Sequence, residues 1–349
     1  MNAFWITLLC LVAMVVFAAC VLALFTAWTA RKVEAVLPPR GRWIEVEGSR
    51  LHVREAGPDD PAARTAPAIV MIHGLAGQSS HYTYGVMPRL AERFRLVALD
   101  RPGAGYSPRE DGAPADLATQ AAAVARLIDK LGLDRPLVVG HSLGGAVALA
   151  LALDHPDKLC GLALLAPVTH MPPGGEAPAA FKGLTIESPL ERKLVAWTLA
   201  IPASIRNSAK TLEAIFGPEA VPKDFATKGG GLLSLRPRAF LGASADLQAL
   251  PESLPRLQQR YADLRVPVHV LYGKDDRILD WRHNGQALVD KAPGARLQLT
   301  EGGHMLPITQ PQLCAEFIEA AAQACAQAAH MAAHQTATGA STLTSDCRS

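Results

Sequence analysis

The residue types needed for nucleophilic acyl transfer recur in this chain at the ends of apolar runs. Ser142 stands in Gly140-His141-Ser142-Leu143-Gly144-Gly145, after the run Pro136–Gly140 and before a helical pattern from about Leu143 to Asp154. A Gly-x-Ser-x-Gly pentapeptide on a strand-to-helix turn makes an elbow that projects the hydroxyl. Glycines flank it because the turn is strained and neighbouring backbone comes close. A serine hydroxyl needs a base at neutral pH. Of the eleven histidines, His304 stands out in the glycine-rich loop Glu301-Gly302-Gly303-His304-Met305, directly after the last predicted strand. His141 reads as packing beside the elbow and His170 as a satisfied surface histidine. The base needs an orienting carboxylate. The run Val266–Tyr272 opens into Gly273-Lys274-Asp275-Asp276-Arg277, where either aspartate could serve. The developing oxyanion needs donors. The N–H of Leu143 supplies one, and the N–H of Leu75, in His73-Gly74-Leu75-Ala76-Gly77, is the candidate for the second.

These groups must be carried by a scaffold, and the pattern of runs defines it. Trp43–Val46 and Leu51–Arg54 flank a turn at Gly48-Ser49 and read as a hairpin. Ala68–His73, Arg95–Asp100, Pro136–Gly140, Leu162–Val168, Val266–Tyr272 and Arg296–Thr300 follow as strands. Apolar strands without polar alternation, separated by helices, imply a mostly parallel sheet covered on both faces, an α/β fold. One covering helix has Leu117, Ala121, Val124, Ile128 and Leu131 on one stripe, with Gly132 placed to end it. Residues 169–265 lack a convincing strand, and a structureless loop of that length does not suit a compact domain. They read as a helical cap, in which Leu232, Leu233, Leu235, Phe240 and Leu241 are candidate walls of an acyl pocket. The core is then 43–168 with 266–325, followed by a flexible tail, 326–349.

No charged side chain precedes Arg31. The apolar stretch from Ala3 to Ala30 would span about 42 Å as a helix, enough to cross a bilayer. Trp5 and Trp28 suit its two interfaces. A cleaved signal peptide would carry Lys or Arg ahead of a shorter apolar core. Residues 1–30 therefore read as a transmembrane anchor and 31–42 as a linker broken by Pro38-Pro39 and Gly41. Arg31, Lys32, Arg40 and Arg42 all follow the span, which places the domain on the cytoplasmic side by the positive-inside rule.

With 349 residues, 49% of them hydrophobic, the chain can bury a large core. Its net charge of +2 and 5% aromatic content give no footprint for a nucleic-acid partner. The six cysteines have no C-x-x-C or metal-ligand spacing; Cys160 falls in a buried strand and Cys314 and Cys325 on a late helix.

Together, His73-Gly74, Asp100 through Ser107, Gly140 through Gly145, Gly273 through Asp276, and Gly303-His304 resemble the α/β-hydrolase superfamily over about residues 43–325. The resemblance implies an α/β-hydrolase fold with a helical cap insertion. It implies the order nucleophile, acid, base as Ser142, Asp276, His304, with the acid three residues after the strand-ending glycine. It also makes Asp100 and the glycines after it a structural loop. Members that open epoxides or cleave carbon–halogen bonds use Asp at the nucleophile position, unlike Ser142. One N-terminal span joined to such a domain is similar to membrane-anchored monoacylglycerol lipases and related bacterial hydrolases. The expected activity is serine-dependent hydrolysis of a carboxylic ester, a monoacylglycerol or another single-chain lipid-like ester. The alternatives are cleavage of C–C bonds or amides, and an inactive membrane-tethered binding protein. The expected partners are a small-molecule ester and membrane lipid around the N-terminal helix. No cofactor or metal is implied, and oligomeric state is not legible.

Overall fold

A computed structural model of the chain describes residues 3–58 and 67–345. It contains eight strands: β1 (Arg42–Val46), β2 (Ser49–Ala56), β3 (Ile69–Ile72), β4 (Leu96–Leu99), β5 (Leu137–His141), β6 (Gly161–Leu165), β7 (Val268–Gly273) and β8 (Arg296–Thr300). They form one sheet in the order β1-β2-β4-β3-β5-β6-β7-β8. β1 and β2 form the hairpin, closed at Gly48 (φ +74°), and β2 also pairs antiparallel with β4. All later pairings are parallel.

The helices are α1 (Ala3–Val36), the short α2 (Ser80–Thr83) and α3 (Val86–Leu90), α4 (Leu117–Lys130), α5 (Leu143–Asp154), α6 (Pro189–Trp197), α7 (Ala200–Phe216), α8 (Pro237–Gln258), the short α9 (Ala287–Val289) and α10 (Leu306–Thr309), and α11 (Pro311–Ser345). Strand side chains divide between two cores, as a period of two requires. Val70 and Ile72 meet α4, α5 and α8 on one face, while Ile69 and Met71 meet α3 and α11 on the other. β3 to β6 are therefore buried on both sides, which explains their unbroken apolar sequence. Burying each large apolar side chain contributes about 1.5–3 kcal/mol.

From β3 the chain steps to β4 on one side and returns to β5 on the other. Such a reversal opens a crevice beyond the carboxyl ends of the two strands, where open α/β sheets bind ligands. The turn with Leu75 follows β3 and Ser142 follows β5, so both lie at this crevice.

The segment between β6 and β7 carries α6, α7 and α8 and no strand. α8 is tied to the core by a buried ion pair: Asp246 lies 2.7 Å from Arg101 and 2.6 Å from Arg109.

Both ends of the chain are more helical than their composition announces. α1 continues through Arg31–Val36 instead of breaking into a linker at residue 31. Arg-Lys-Val-Glu-Ala-Val contains no Gly or Pro, and the first breaker is Pro38. Thr26, Thr29 and Val33 are buried, and α1 touches α6 and α7. Glu34 reaches Arg236 at 3.3 Å and Arg238 at 3.6 Å. At the other end α11 runs to Ser345, across most of the expected flexible tail, because its Ala-rich stretch has high helix propensity and no proline after Pro311. Residues 346–349 lie outside the described residues. Cys160 stands just before β6, half-buried, while Cys314 and Cys325 are buried on α11.

Candidate active site

The backbone of Ser142 adopts φ 52° and ψ −120°, a conformation costly for a residue with a Cβ. Three hydrogen bonds hold it there: Ser142 N–H donates to Leu165 O (3.0 Å), and Ser142 O accepts from Gly145 N–H (2.9 Å) and Val168 N–H (3.0 Å). The ends of β5 and β6 thus clamp the elbow. Gly144 is required by close approach, since a Cβ there would lie 2.2 Å from Ile72 O. α5 starts at Leu143, so the Leu143 N–H lies in the first turn, where amides have no intrahelical acceptor.

The turn after β3 closes by Gly77 N–H to Gly74 O (3.2 Å), with Ala76 at φ 52°. A Cβ on Gly74 would lie 2.9 Å from Ser142 Cβ, so this turn touches the serine. Arg101, fully buried, braces it: Nε donates to His73 O (3.0 Å) and Nη2 to Gly74 O (2.9 Å). The Arg101 N–H also donates to His73 Nε2 (2.9 Å). Leu75 is half-buried, and its N–H donates to no backbone acceptor among the described residues.

His304 and Asp276 meet directly. His304 Nδ1 lies 2.7 Å from Asp276 Oδ2, and both side chains are buried. Asp276 Oδ1 accepts from Ile278 N–H (2.8 Å) and Leu279 N–H (2.9 Å), which fixes the carboxylate plane. Asp275 points elsewhere: its Oδ2 accepts from Gly302 N–H at 3.4 Å. The His304 ring centroid is 5.0 Å from that of His141, the residue before the serine. No hydrogen bond joins Ser142 Oγ to His304 among the described residues. Such contacts are often long without substrate and tighten when it binds.

Further side chains support these three residues. His141 Nε2 lies 3.0 Å from His304 O. Glu219, from the segment between β6 and β7, accepts the Gly303 N–H at 3.0 and 3.1 Å. Asp100 accepts from Ser79 N–H (2.6 Å) and Tyr106 N–H (2.8 Å) and lies 2.8 Å from His52 Nδ1. Burial pushes its carboxyl up, but the His52 hydrogen bond and the nearby imidazoles outweigh this and hold it at about 2. His170 is buried rather than on the surface, with Thr169 Oγ1 at 2.8 Å from its Nδ1. Among the described residues, no three His, Cys, Asp or Glu side chains converge to hold a metal.

Three imidazoles around the site are held neutral. Burial and then the charge of Arg101 lower His73 to about 3. Burial lowers His81 to about 4. Burial and then His304 take His141 well below its ordinary value. The unfolded chain takes up protons at these positions near pH 6.5, whereas the folded chain does so only at much lower pH. Their stabilisation is therefore complete above about pH 6.5 and declines as pH falls toward 4. The thermal midpoint is expected to drop by several degrees between pH 7 and pH 5. A flat profile over that range would mean that these rings accept protons within the fold.

Fold and site together define a hydrolase of the α/β class. Residues 67–311 match the family described as alpha/beta hydrolase fold, and the chain belongs to that family. It is 38% identical over 280 residues to the dihydrolipoyllysine-residue acetyltransferase component of the acetoin cleaving system of Cupriavidus necator, covering 76% of this chain and 64% of that protein. It is 27% identical over 254 residues to the 2-hydroxy-6-oxo-6-phenylhexa-2,4-dienoate hydrolase of Burkholderia cepacia, covering 72% of this chain and 82% of that one. Among solved structures, a membrane phospholipase A described as a bacterial virulence factor shares the fold (TM-score 0.64, 24% identity), over 93% of this chain and 99% of its own.

Proposed function

We propose that this protein is a membrane-anchored serine hydrolase that cleaves the carboxylic ester of a single-chain lipid-like substrate, such as a monoacylglycerol. The observation that carries the reading is the 2.7 Å pair of His304 and Asp276, held beside the elbow that presents Ser142. His304 takes the proton of Ser142 as Oγ attacks the ester carbonyl. The Leu143 and Leu75 N–H groups receive the oxyanion. Asp276 keeps the proton of His304 on Nδ1 and stabilises the imidazolium. His304 then protonates the departing alcohol. Water attacks the acyl-enzyme by the same route and releases the acid. Each oxyanion donor in such a site contributes roughly 3–4 kcal/mol to the transition state.

Lipid as the substrate class is supported by the surroundings. α1 is long and apolar enough to cross a membrane. Where it meets α6 and α7, the segment between β6 and β7 exposes Leu190, Leu194, Trp197, Leu199 and Ile205. Leu190, Leu194 and Trp197 share one face of α6 by their spacing, and exposed apolar side chains beside a membrane helix suit contact with lipid. The likeness in fold to a membrane phospholipase A points the same way. The expected profile on p-nitrophenyl esters rises from acetate to medium chains, with Ser142→Ala as the blank. A preference for short acyl chains would remove the lipid assignment.

The relative that hydrolyses 2-hydroxy-6-oxo-6-phenylhexa-2,4-dienoate favours a second reading, C–C cleavage of a ring-fission product by the same three residues. Turnover of such a compound at a kcat/KM above that of every ester would select it. The domain is assigned to the cytoplasmic side by Arg31, Lys32, Arg40 and Arg42. A phosphatase fused to the C-terminus should then be inactive, and an active fusion places the domain on the opposite face.

A further inference from the structure

A cavity of about 390 Å³ lies at the foot of α1. Its wall includes Val36 and Leu37 from the end of α1, Arg40, and Arg54 of β2. Ser142, Asp276 and His304 do not line it.

The cavity gathers cations, two of which have no ion-pair partner among the described residues. Arg54 is half-buried, and among the described residues its guanidinium meets hydroxyls, Thr83 Oγ1 at 2.7 Å and Ser80 Oγ at 3.5 Å. Among the described residues neither Arg54 nor Arg40 has a carboxylate within ion-pair distance. Lys228 adds a third cation to the wall, paired with Asp224 at 3.1 Å. The wall's one carboxylate, Asp100, is occupied by His52, Ser79 N–H and Tyr106 N–H. Burial first, and then the charge of Arg40, pulls the Arg54 guanidinium below its ordinary value, and the charge of Asp100 opposes them only in part. Buried charges are ordinarily paired. His52 lines the same cavity, and its Nε2 is buried without a partner.

Two arginines lining one open volume match a phosphate, which each can grip with two N–H groups. Position selects the kind of phosphate. Leu37 and Arg40 follow the apolar stretch that ends at Ala30 by seven and ten residues, so the cavity stands at headgroup depth if α1 spans the bilayer. We propose that this cavity is a phosphate-binding site that takes the headgroup of an anionic phospholipid. The inference rests on the reading of α1 as a membrane anchor, but not on the esterase chemistry.

The test uses the full chain carrying Ser142→Ala, purified in a non-ionic detergent and titrated calorimetrically. The probes are dihexanoyl phosphatidylglycerol, dihexanoyl phosphatidylcholine and inorganic phosphate. Phosphatidylglycerol should bind at least tenfold more tightly than either of the others. Adding Arg40→Gln together with Arg54→Gln should weaken that binding at least tenfold, which is about 1.4 kcal/mol. Arg40 is exposed, so Arg40→Gln alone keeps the fold and should weaken binding severalfold even if the Arg54 change unfolds the chain. Unchanged affinity in folded Arg40→Gln overturns the site. Inorganic phosphate binding as tightly as phosphatidylglycerol overturns the headgroup assignment. Binding is read without turnover, so an inactive wild type leaves this result standing. Failure of binding, in turn, leaves ester hydrolysis by the wild type untouched.

Discussion

Replacing Ser142 with Ala is expected to lower kcat for ester hydrolysis by at least about 10⁴-fold while leaving the thermal midpoint within a few degrees of the parent. The two halves of that expectation come from different observations. The elbow is held by backbone bonds to Leu165, Gly145 and Val168, all of which alanine retains. Ser142 Oγ makes no hydrogen bond within the described chain, so removing it orphans no buried partner. The strained φ of 52° is borne by either residue. What disappears is the hydroxyl that the proposed mechanism uses as nucleophile. On the proposed mechanism, residual rate in the variant measures what the Leu75 and Leu143 N–H groups achieve with water alone. Steady-state kinetics and labelling by a fluorophosphonate probe read the same loss independently. An unchanged rate or undiminished labelling would remove Ser142 from the mechanism.

The parts legible in the sequence are those whose cause is local. The runs that became β3 to β6 are apolar throughout because both faces are covered, and that composition is visible without knowing the neighbours. The elbow could be read because the Gly-x-Ser-x-Gly pattern is itself contiguous; Gly140 is demanded by Gly144 O four residues on, while Gly144 answers to Ile72 O on β3. His304 and the Asp275-Asp276 pair stood out through their strand-ending loops; the resemblance singled out Asp276, and in the fold Asp276 is bonded to the imidazole while Asp275 is bonded to Gly302. What escaped is long-range and polar. Glu219 bracing Gly303, and Asp246 reaching Arg101 and Arg109, join residues more than eighty positions apart with no periodicity to mark them. The helix boundary at Val36 was missed for another reason. Arg31 and Lys32 mark the end of an apolar stretch, which is a solvation boundary, while the helix itself runs on until a breaker intervenes.

Asp276→Asn should cost about 10⁴-fold in kcat near neutral pH, nearly as much as loss of the nucleophile, with little change in fold. The argument turns on which way the amide faces. Oδ1 of Asp276 accepts two backbone N–H groups, from Ile278 and Leu279, while Oδ2 faces only His304 Nδ1. An asparagine that turned its NH₂ toward Ile278 and Leu279 would set a donor against two donors inside a buried pocket. It therefore keeps its oxygen there and aims its NH₂ at the imidazole. His304 must then offer Nδ1 as an acceptor, and the ring proton moves to Nε2. In that tautomer Nε2 cannot take the proton of Ser142, so the base is present but reversed. The same substitution one residue earlier provides the control. Asp275 contributes one 3.4 Å bond to Gly302 N–H, which an asparagine oxygen can also accept, so Asp275→Asn should change kcat by less than about threefold. Measuring both variants against wild type on one ester, with thermal midpoints to confirm folding, isolates the tautomer effect. Comparable losses in the two would show that the charge of the loop, rather than the orientation of His304, sets the rate.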